Sequence, residues 1–183
     1  FFSQCGSSSW VFNRWPASGG IHCGSMFARP RPYSLVVSTS SAAISSCLCR
    51  KLVSPWRARK DADWWIDRLY DFAAELDATI VHTAISRTII DVNRDPSGVS
   101  LYPGQATTEL CPTTTFDGEP LWREAPDAAE IAARRVTYFA PYHATITAEL
   151  ARLRELHPTV VLYDCHSIRS VIPRLFEGEL PNF

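Results

Sequence analysis

The chain has 183 residues, a net charge of −1 at pH 7 and 46% hydrophobic residues, which is the composition of a globular domain with its own core. The near-neutral charge predicts no nucleic-acid partner, and no apolar run is long enough to predict a membrane span. The six cysteines form no CxxC pair and no spacing typical of zinc sites, so we expect reduced thiols in a cytoplasmic protein. These features leave the oligomeric state open.

The N-terminal part of the chain differs in composition from the rest. Residues 1–50 contain no Asp or Glu, and they hold 12 Ser and four of the six Cys. Neither helical nor strand periodicity persists in them. A basic, Ser-rich tail is one interpretation, and a segment outside the fold, such as a misread reading frame, is the favoured one, since exposed Trp and Phe invite aggregation. We therefore predict that residues 1–51 lie outside a domain that covers residues 52–183.

The first predicted helix follows directly. The stretch "SPWRARKDADWWIDRLYDFAAELDA" is interpreted as one helix, capped by Asp61 or Asp63. Four apolar side chains recur at helical spacing and are predicted to face the core: Trp65, Leu69, Phe72 and Leu76.

Strands and a second helical region are predicted next. "TIVHTAI" and "RTIIDV" are short β-branched runs, and residues 93–122 form a loop rich in Pro, Gly and Thr, which indicates a binding or lid role, or disorder. A helical region follows, which Pro141 should kink or divide and Pro158 should end. "TVVLYDC" then reads as a strand buried on both faces. Strands alternating with helices predict an α/β sheet that is at least partly parallel.

Polar side chains follow two of these strands. Asn93 and Arg94 come after one strand, and His166 comes after another. Because ligands bind beyond the carboxyl ends of strands in open α/β sheets, we expect the two groups to meet at one edge. Arg94 offers a planar fork to a carboxylate, His166 offers a nitrogen to a metal or a proton, and Asp164 could orient the His166 ring.

Each of these residues has a structural alternative. A single His after a strand is more often a satisfied surface or core residue than a ligand, and the alternative for Arg94 is an ion pair with Asp91 or Asp95 alone. The run "DADWW" is also explained as a helix cap followed by core aromatics. Cys165 has no assignable partner as a nucleophile. Three further histidines are interpreted as structural: His82, His143 and His157.

Residues 52–183 resemble the N-formylglutamate amidohydrolase family. The resemblance rests on "LVSPWRARKDADWWIDRLYDFAAELDATIV", "AISRTIIDVNRDPSG", "LYPGQATTELCPTTTFDGEPLW" and "VVLYDCHSIRSVIPRLFEGELPNF". It implies a three-layer α/β sandwich with a mixed, partly parallel sheet, like that of zinc carboxypeptidases and aspartoacylases (phosphorylase/hydrolase-like). It also implies hydrolysis of N-formyl-L-glutamate to formate and L-glutamate in histidine degradation, by a zinc-activated water.

The same resemblance assigns roles to single residues. It makes His166 a zinc ligand and Asp63 a second, carboxylate ligand, with Asp164 behind His166. It makes Asn93 and Arg94 the holders of an anionic substrate, and it adds Arg87 and Arg169 as candidates for the carboxylates of glutamate.

The chain departs from the family pattern in two places. Family members begin with a strand that ends in a "PH" turn, whose His is another zinc ligand, whereas residues 32–50 here contain no His, Asp or Glu. The family's catalytic carboxylate lies beyond the last residues of this sequence and is therefore unassigned. We expect an incomplete domain that binds zinc weakly or not at all and is inactive or nearly so. Alternatives are a noncatalytic α/β remnant that binds at most an acidic ligand, and a hydrolase of another N-acyl amino acid.

Overall fold

A computed structural model describes residues 33–39, 44, 46–83, 85–97 and 108–181. It contains a three-stranded sheet made of β1 (Tyr33–Thr39), β2 (Thr79–His82) and β3 (Thr159–Cys165), in the order β2-β1-β3. Both pairings are parallel, and Thr39 at the end of β1 lies opposite both His82 and Cys165. The predicted α/β class with parallel strands is confirmed.

The position of β1 corrects the predicted domain boundary. Residues 1–51 were placed outside the domain, but β1 lies between the other two strands, so residues 33–39 belong to the sheet. Their lack of acidic residues is typical of a central parallel strand, which is usually a continuous run of β-branched and apolar residues. Residues 1–32 lie outside the described part of the chain.

Helix α1 (Ser46–Cys49) precedes the region that was predicted to form one long helix. Short elements occupy that region instead: α2 (Pro55–Arg59), α3 (Ile66–Leu69) and a 3-10 turn at Asp71–Ala74. The long helix is interrupted because Trp65 adopts a left-handed conformation, with φ 62°, directly before α3.

The predicted core face of this region is also wrong. Trp65 and Leu69 are more than 60% exposed, and Phe72 and Leu76 are exposed too. The buried apolar positions are Ala58, Ala62, Ile66 and Ala73 instead. Helical spacing identifies a core face only when the helix is continuous, and here the break at Trp65 rotates the following turn.

The predicted caps have other partners. Ser54 caps α2, because its Oγ accepts a hydrogen bond from the Arg57 N–H. Asp61 Oδ2 accepts from the backbone N–H of Phe116, at 2.7 Å, so this carboxylate holds a distant loop. Asp63 likewise contacts a distant segment, described below.

The two predicted strands before the loop have different outcomes. "TIVH" is β2, as predicted. "RTIIDV" is instead a turn, in which the Ile89 N–H donates to Ser86 O and the Thr88 N–H donates to Ser86 Oγ. Ile89 and Ile90 are fully buried there. Short apolar runs do not distinguish a strand from another buried segment, and the Ser86 side chain favours the turn.

The second helical region is divided as predicted. Asp127 caps α4 (Ala128–Arg134), a π-helical segment follows at Arg135–Phe139, and α5 spans Ala140–Leu156. Pro141, which lacks an N–H, lies at the start of α5, where the wider π turn meets the α-helix. Helix α5 ends before Pro158, and His157 is extended there, as expected of a residue that precedes proline.

Different helices cover the two faces of β2. Val81 packs with Tyr142 and Leu153 of α5, whereas its neighbour Ile80 packs against Ile66 and Ala73. Strand β3 has the predicted position, but burial on both faces is not observed. It lies at an edge of the described sheet, and its Val161, Leu162 and Tyr163 side chains are more than 40% exposed. No helix in the described residues is long and apolar enough to cross a membrane.

A buried arginine anchors α4 to the main core cluster. Arg134 is 4% exposed, donates from Nη1 to Ile89 O and from Nη2 to Glu130 Oε1, and lies 4.5 Å above the Trp122 ring. Its guanidinium therefore satisfies a buried carbonyl and covers an aromatic face together.

Replacement of Arg134 by lysine is expected to lower the free energy of unfolding by about 1–2 kcal/mol. Lysine keeps the charge near Glu130 but loses the planar group that reaches the Ile89 carbonyl and stacks on Trp122. Urea unfolding of the variant beside Arg135→Lys, an exposed neighbour, measures this difference. Equal midpoints for the two variants would contradict the anchoring role.

Candidate functional site

The candidate site begins where β3 ends. His166 directly follows Cys165, the last residue of β3, and Cys165 lies opposite Thr39 at the end of β1. The chain moves from β1 to β2 on one side and later to β3 on the other. The carboxyl ends of β1 and β3 therefore form the switch point of the described sheet, where α/β proteins place their ligands.

Asp63 joins the α2–α3 connection to the segment after β3. Its Oδ1 accepts hydrogen bonds from Ser167, from the backbone N–H at 2.7 Å and from Oγ at 3.0 Å. Its Oδ2 lies 3.5 Å from His166 Nδ1, and the carboxylate is 1% exposed. A buried carboxylate requires such partners, so Asp63 fixes the backbone that carries His166.

His166 lies between two carboxylates. Its Nε2 is 2.8 Å from Asp164 Oδ2, while its Nδ1 faces Asp63. Burial lowers the pKa of His166, but hydrogen bonds and charge from Asp164 and Asp63 outweigh burial and raise that pKa to about 9. In the metal-free chain the imidazole is therefore protonated at neutral pH. The pairing of Asp164 with His166 is the one that the sequence predicted.

Asp164→Asn is expected to bring the pKa of His166 well below 9, because one of its two carboxylate partners is lost. Since the folded-state pKa lies above the ordinary value of 6.5, protonation of His166 adds stability that is complete below pH 6.5 and is lost as the pH rises through 9. Histidine NMR titration of the metal-free chain measures the shift, with the exposed Asp95→Asn as control. An unchanged pKa in Asp164→Asn would refute this account.

Asp91 is a second buried carboxylate near Asp63, and Arg87 contacts both of them. Arg87 Nη2 donates to Asp91 Oδ2 at 2.8 Å, and its Nη1 lies 3.9 Å from Asp63 Oδ1. Both carboxylates are buried, and the Arg87 side chain is 11% exposed. Arg87 therefore balances the charge of two buried carboxylates. Its terminal nitrogens face these carboxylates, which leaves it less suited to an external anion.

The Asn93–Arg94 pair is held by Asp91, through both its carboxylate and its backbone carbonyl. The Asn93 N–H donates to Asp91 Oδ1 and the Arg94 N–H donates to Asp91 O, both at 3.1 Å. Arg94 Nε lies 3.5 Å from Asp91 Oδ2 but is buried without a hydrogen-bond partner among the described residues. Asp95 instead accepts from its own turn, at the Ser97 N–H.

Arg169 belongs to a neighbouring ion-pair cluster. Its Nη2 lies 3.1 Å from Asp61 Oδ1 and 3.0 Å from Asp117 Oδ1, and Lys60 pairs with the same Asp117. These contacts hold the 113–120 loop against α2. The structure therefore joins Asp63, Arg87 and His166 by direct contacts, and Arg94 through Asp91. Arg169 instead holds the 113–120 loop.

Sequence reasoning missed two residues of this arrangement. Asp91 was considered only as a partner of Arg94, and Ser167 was not considered. The signal for Asp91 was present, because an Asp two residues before Asn93 is typical of an Asx turn. The contact between Ser167 and Asp63 spans 104 residues of sequence, so no local pattern indicates it.

The donors at this site match zinc in type but not in number. Asp63 Oδ2 and His166 Nδ1 are an oxygen and a nitrogen that zinc accepts, and Asp164 meets the other ring nitrogen, as carboxylates commonly do behind metal-bound histidines. In the described part of the chain, no group of three His, Cys, Asp or Glu side chains is arranged to hold a metal. These residues therefore provide two donors of the three that a zinc hydrolase uses.

Comparison with solved structures supports the fold. A crystal structure of a gene product from Agrobacterium tumefaciens aligns with a TM-score of 0.53 and 22% identity, over 80% of this chain and 56% of that one. A crystal structure of N-formylglutamate amidohydrolase from Ralstonia eutropha aligns with a TM-score of 0.58 and 20% identity, over 77% and 56% of the two chains.

Sequence comparison identifies closer relatives. The N-formylglutamate deformylase of Pseudomonas putida is 43% identical over 154 residues, 83% of this chain and 57% of that protein. The N-formylglutamate deformylase of Pseudomonas aeruginosa is 48% identical over 134 residues, 72% of this chain and 50% of that protein. The chain thus spans about half the length of these relatives.

The family model of N-formylglutamate amidohydrolases matches residues 35–183. The match begins within β1 and includes residues 35–51, which the sequence analysis had excluded. With this match and the two Pseudomonas relatives, the chain belongs to the N-formylglutamate amidohydrolase family.

Proposed function

We propose that this chain carries a large part of a site that hydrolyses N-formyl-L-glutamate to formate and L-glutamate. The main support is that Asp63 and His166 lie in contact at the switch point of the sheet. Arg94 is connected to them through Asp91 and Arg87. The names of the two Pseudomonas relatives support this substrate. A role in histidine degradation, as the resemblance implies, is part of the proposal.

Arg94 is the guanidinium best suited to hold a substrate carboxylate. The Nη2 groups of Arg87 and Arg169 each contact a carboxylate within 3.0 Å, whereas the contact of Arg94 with Asp91 is 3.5 Å and is no hydrogen bond. Its side chain is 30% exposed, so solvent and a ligand reach it. Asn93, which is exposed beside it, adds a neutral donor. The amide and the fork together fit one carboxylate of glutamate.

His166 and Asp63 are the proposed zinc ligands. When bound there, zinc supplies Lewis acidity toward the formyl carbonyl and lowers the pKa of a water molecule. The chain's own residues prepare this site. Asp164 holds the Nε2 side of the ring, so Nδ1 faces Asp63, and the two Ser167 hydrogen bonds fix the Asp63 carboxylate. A third ligand and the catalytic carboxylate are not assigned to any described residue.

The finer fold is part of the same proposal. We place the domain in a three-layer α/β sandwich like that of zinc carboxypeptidases and aspartoacylases, with further strands making the sheet mixed. Helices on opposite faces of β2 support three layers. A cytoplasmic location remains the expectation, and the described cysteines, Cys49, Cys111 and Cys165, are free thiols.

A noncatalytic remnant is the second candidate. The described residues supply two metal donors in place of three, which favours it, because such a set closes no zinc site. In that case Arg94 would still bind an acidic ligand, and zinc would bind without regard to His166. A hydrolase of another N-acyl amino acid is a third candidate, which differs only in the acyl group accepted.

Zinc titration and a formate assay together test the proposal. The expected result is one zinc per chain, bound weakly enough for a mild chelator to remove it, and lost in both Asp63→Ala and His166→Ala. Formate release from N-formyl-L-glutamate, even if slow, should depend on that zinc and exceed release from N-formyl-L-lysine. Zinc binding that is unchanged in both variants, without formate release, would favour the remnant.

A further inference from the structure

The geometry points to His143 of α5 as a positioning residue, which holds the Asn93–Arg94 pair in place for recognition of a carboxylate. His143 Nε2 lies 2.9 Å from the carbonyl oxygen of Val92, the residue directly before this pair. This inference rests on the proposed function, in which Arg94 holds the substrate.

The Val92 carbonyl needs this partner. Val92 is 5% exposed and packs against Tyr142 and Leu153, so its backbone lies in the apolar cluster between α5 and β2. A buried carbonyl without a hydrogen bond costs about 1–3 kcal/mol, and the His143 ring supplies the donor. Since the ring reaches this oxygen from α5, it ties the turn to that helix.

Packing fixes the His143 ring. Its centroid lies 4.2 Å from that of Phe139 and 5.3 Å from that of Tyr142, which meets it edge-on. Phe139 is the last residue of the π-helical segment, so the extra residue in this wider turn sets which side chains share a face with His143. The ring is therefore held by two aromatic neighbours while its Nε2 points at Val92.

The turn is then held at three consecutive residues. Asp91 donates its N–H to Leu110 O at 2.7 Å, Val92 is held by His143, and Asn93 donates its N–H to the Asp91 carboxylate. Arg94 follows these anchors directly. A guanidinium binds with two hydrogen bonds only when its backbone is fixed within a fraction of an ångström, so loss of one anchor should weaken binding.

The test uses two matched variants of the full chain. His143→Phe keeps a ring beside Phe139 but removes the donor, and His143→Gln keeps a donor that extends about as far as Nε2. His157→Phe, the same change at the C-terminal end of α5, is the control. The readouts are amide hydrogen exchange and the Kd for L-glutamate by calorimetry.

In His143→Phe, we expect exchange of the Asn93 and Arg94 amides to accelerate at least tenfold, with α5 amides such as Leu153 unchanged. The Kd for L-glutamate should rise about tenfold. His143→Gln and His157→Phe should stay within twofold of the parent chain in both readouts.

Two different failures are distinguishable. Uniform acceleration across α5, or an unchanged Kd in His143→Phe beside a parent that binds L-glutamate, would overturn the positioning role and leave the proposed function standing. A parent chain with no affinity for L-glutamate would overturn the substrate proposal and this role with it.

Discussion

Replacement of His166 by alanine is expected to reduce zinc affinity at least about 100-fold and to abolish formate release with it. The change removes one of two donors, and a lone carboxylate does not hold zinc against water at neutral pH. Asp63 would keep its two hydrogen bonds from Ser167, so the backbone at the end of β3 should stay in place. Loss of zinc would therefore report loss of a ligand and not loss of the fold.

Two controls separate these effects. His157→Ala removes a histidine at the C-terminal end of α5 and should leave zinc affinity unchanged. A thermal melt of the metal-free His166→Ala chain should fall close to that of the parent, and addition of zinc should raise the melting temperature of the parent alone. Zinc retained by His166→Ala with parental affinity would remove His166 from the proposed site.

The carboxyl edge of the sheet was predictable from sequence because strand signals are local. "TVVLYDC" and "TIVH" are β-branched runs, and polar residues follow the first of them at once. Parallel strands end at a common edge, so the position of His166 followed from the strand alone. The partner of its Nδ1 did not follow from the strand. Asp63 lies 103 residues earlier, and only the resemblance to a family proposed it as a ligand.

The errors have a common physical cause. The region from Ser54 to Ala78 has helical spacing of apolar residues, yet a single left-handed residue, Trp65, changes which of them are buried. "RTIIDV" has strand composition, yet the Ser86 side chain turns it into a compact turn. The composition of β1 led to its exclusion from the predicted domain, although a central strand also carries few charges. In each case a local pattern was compatible with two structures, and tertiary contacts selected one.

Arg94→Lys is expected to cost about 2–4 kcal/mol in the binding of L-glutamate, with the same loss in kcat/KM wherever turnover is measurable. Lysine preserves the positive charge but loses the planar fork that donates two parallel hydrogen bonds to one carboxylate. Arg94 is suited to this role because its side chain is 30% exposed and its contact with Asp91 is as long as 3.5 Å. Calorimetry with L-glutamate measures the loss, and Arg154→Lys on the exposed side of α5 is the control.

The alternative for Arg94 is a purely structural role, in which it braces its turn against Asp91. Arg94→Lys would then lower the melting temperature while the folded chain binds L-glutamate as the parent does. The structure argues against this outcome, because the turn has other anchors: the Asn93 and Arg94 amides already bond to Asp91, and Arg87 Nη2 donates to the same carboxylate at 2.8 Å. We therefore expect a small change in melting temperature and a large change in Kd. The reverse pattern would remove Arg94 from the substrate site.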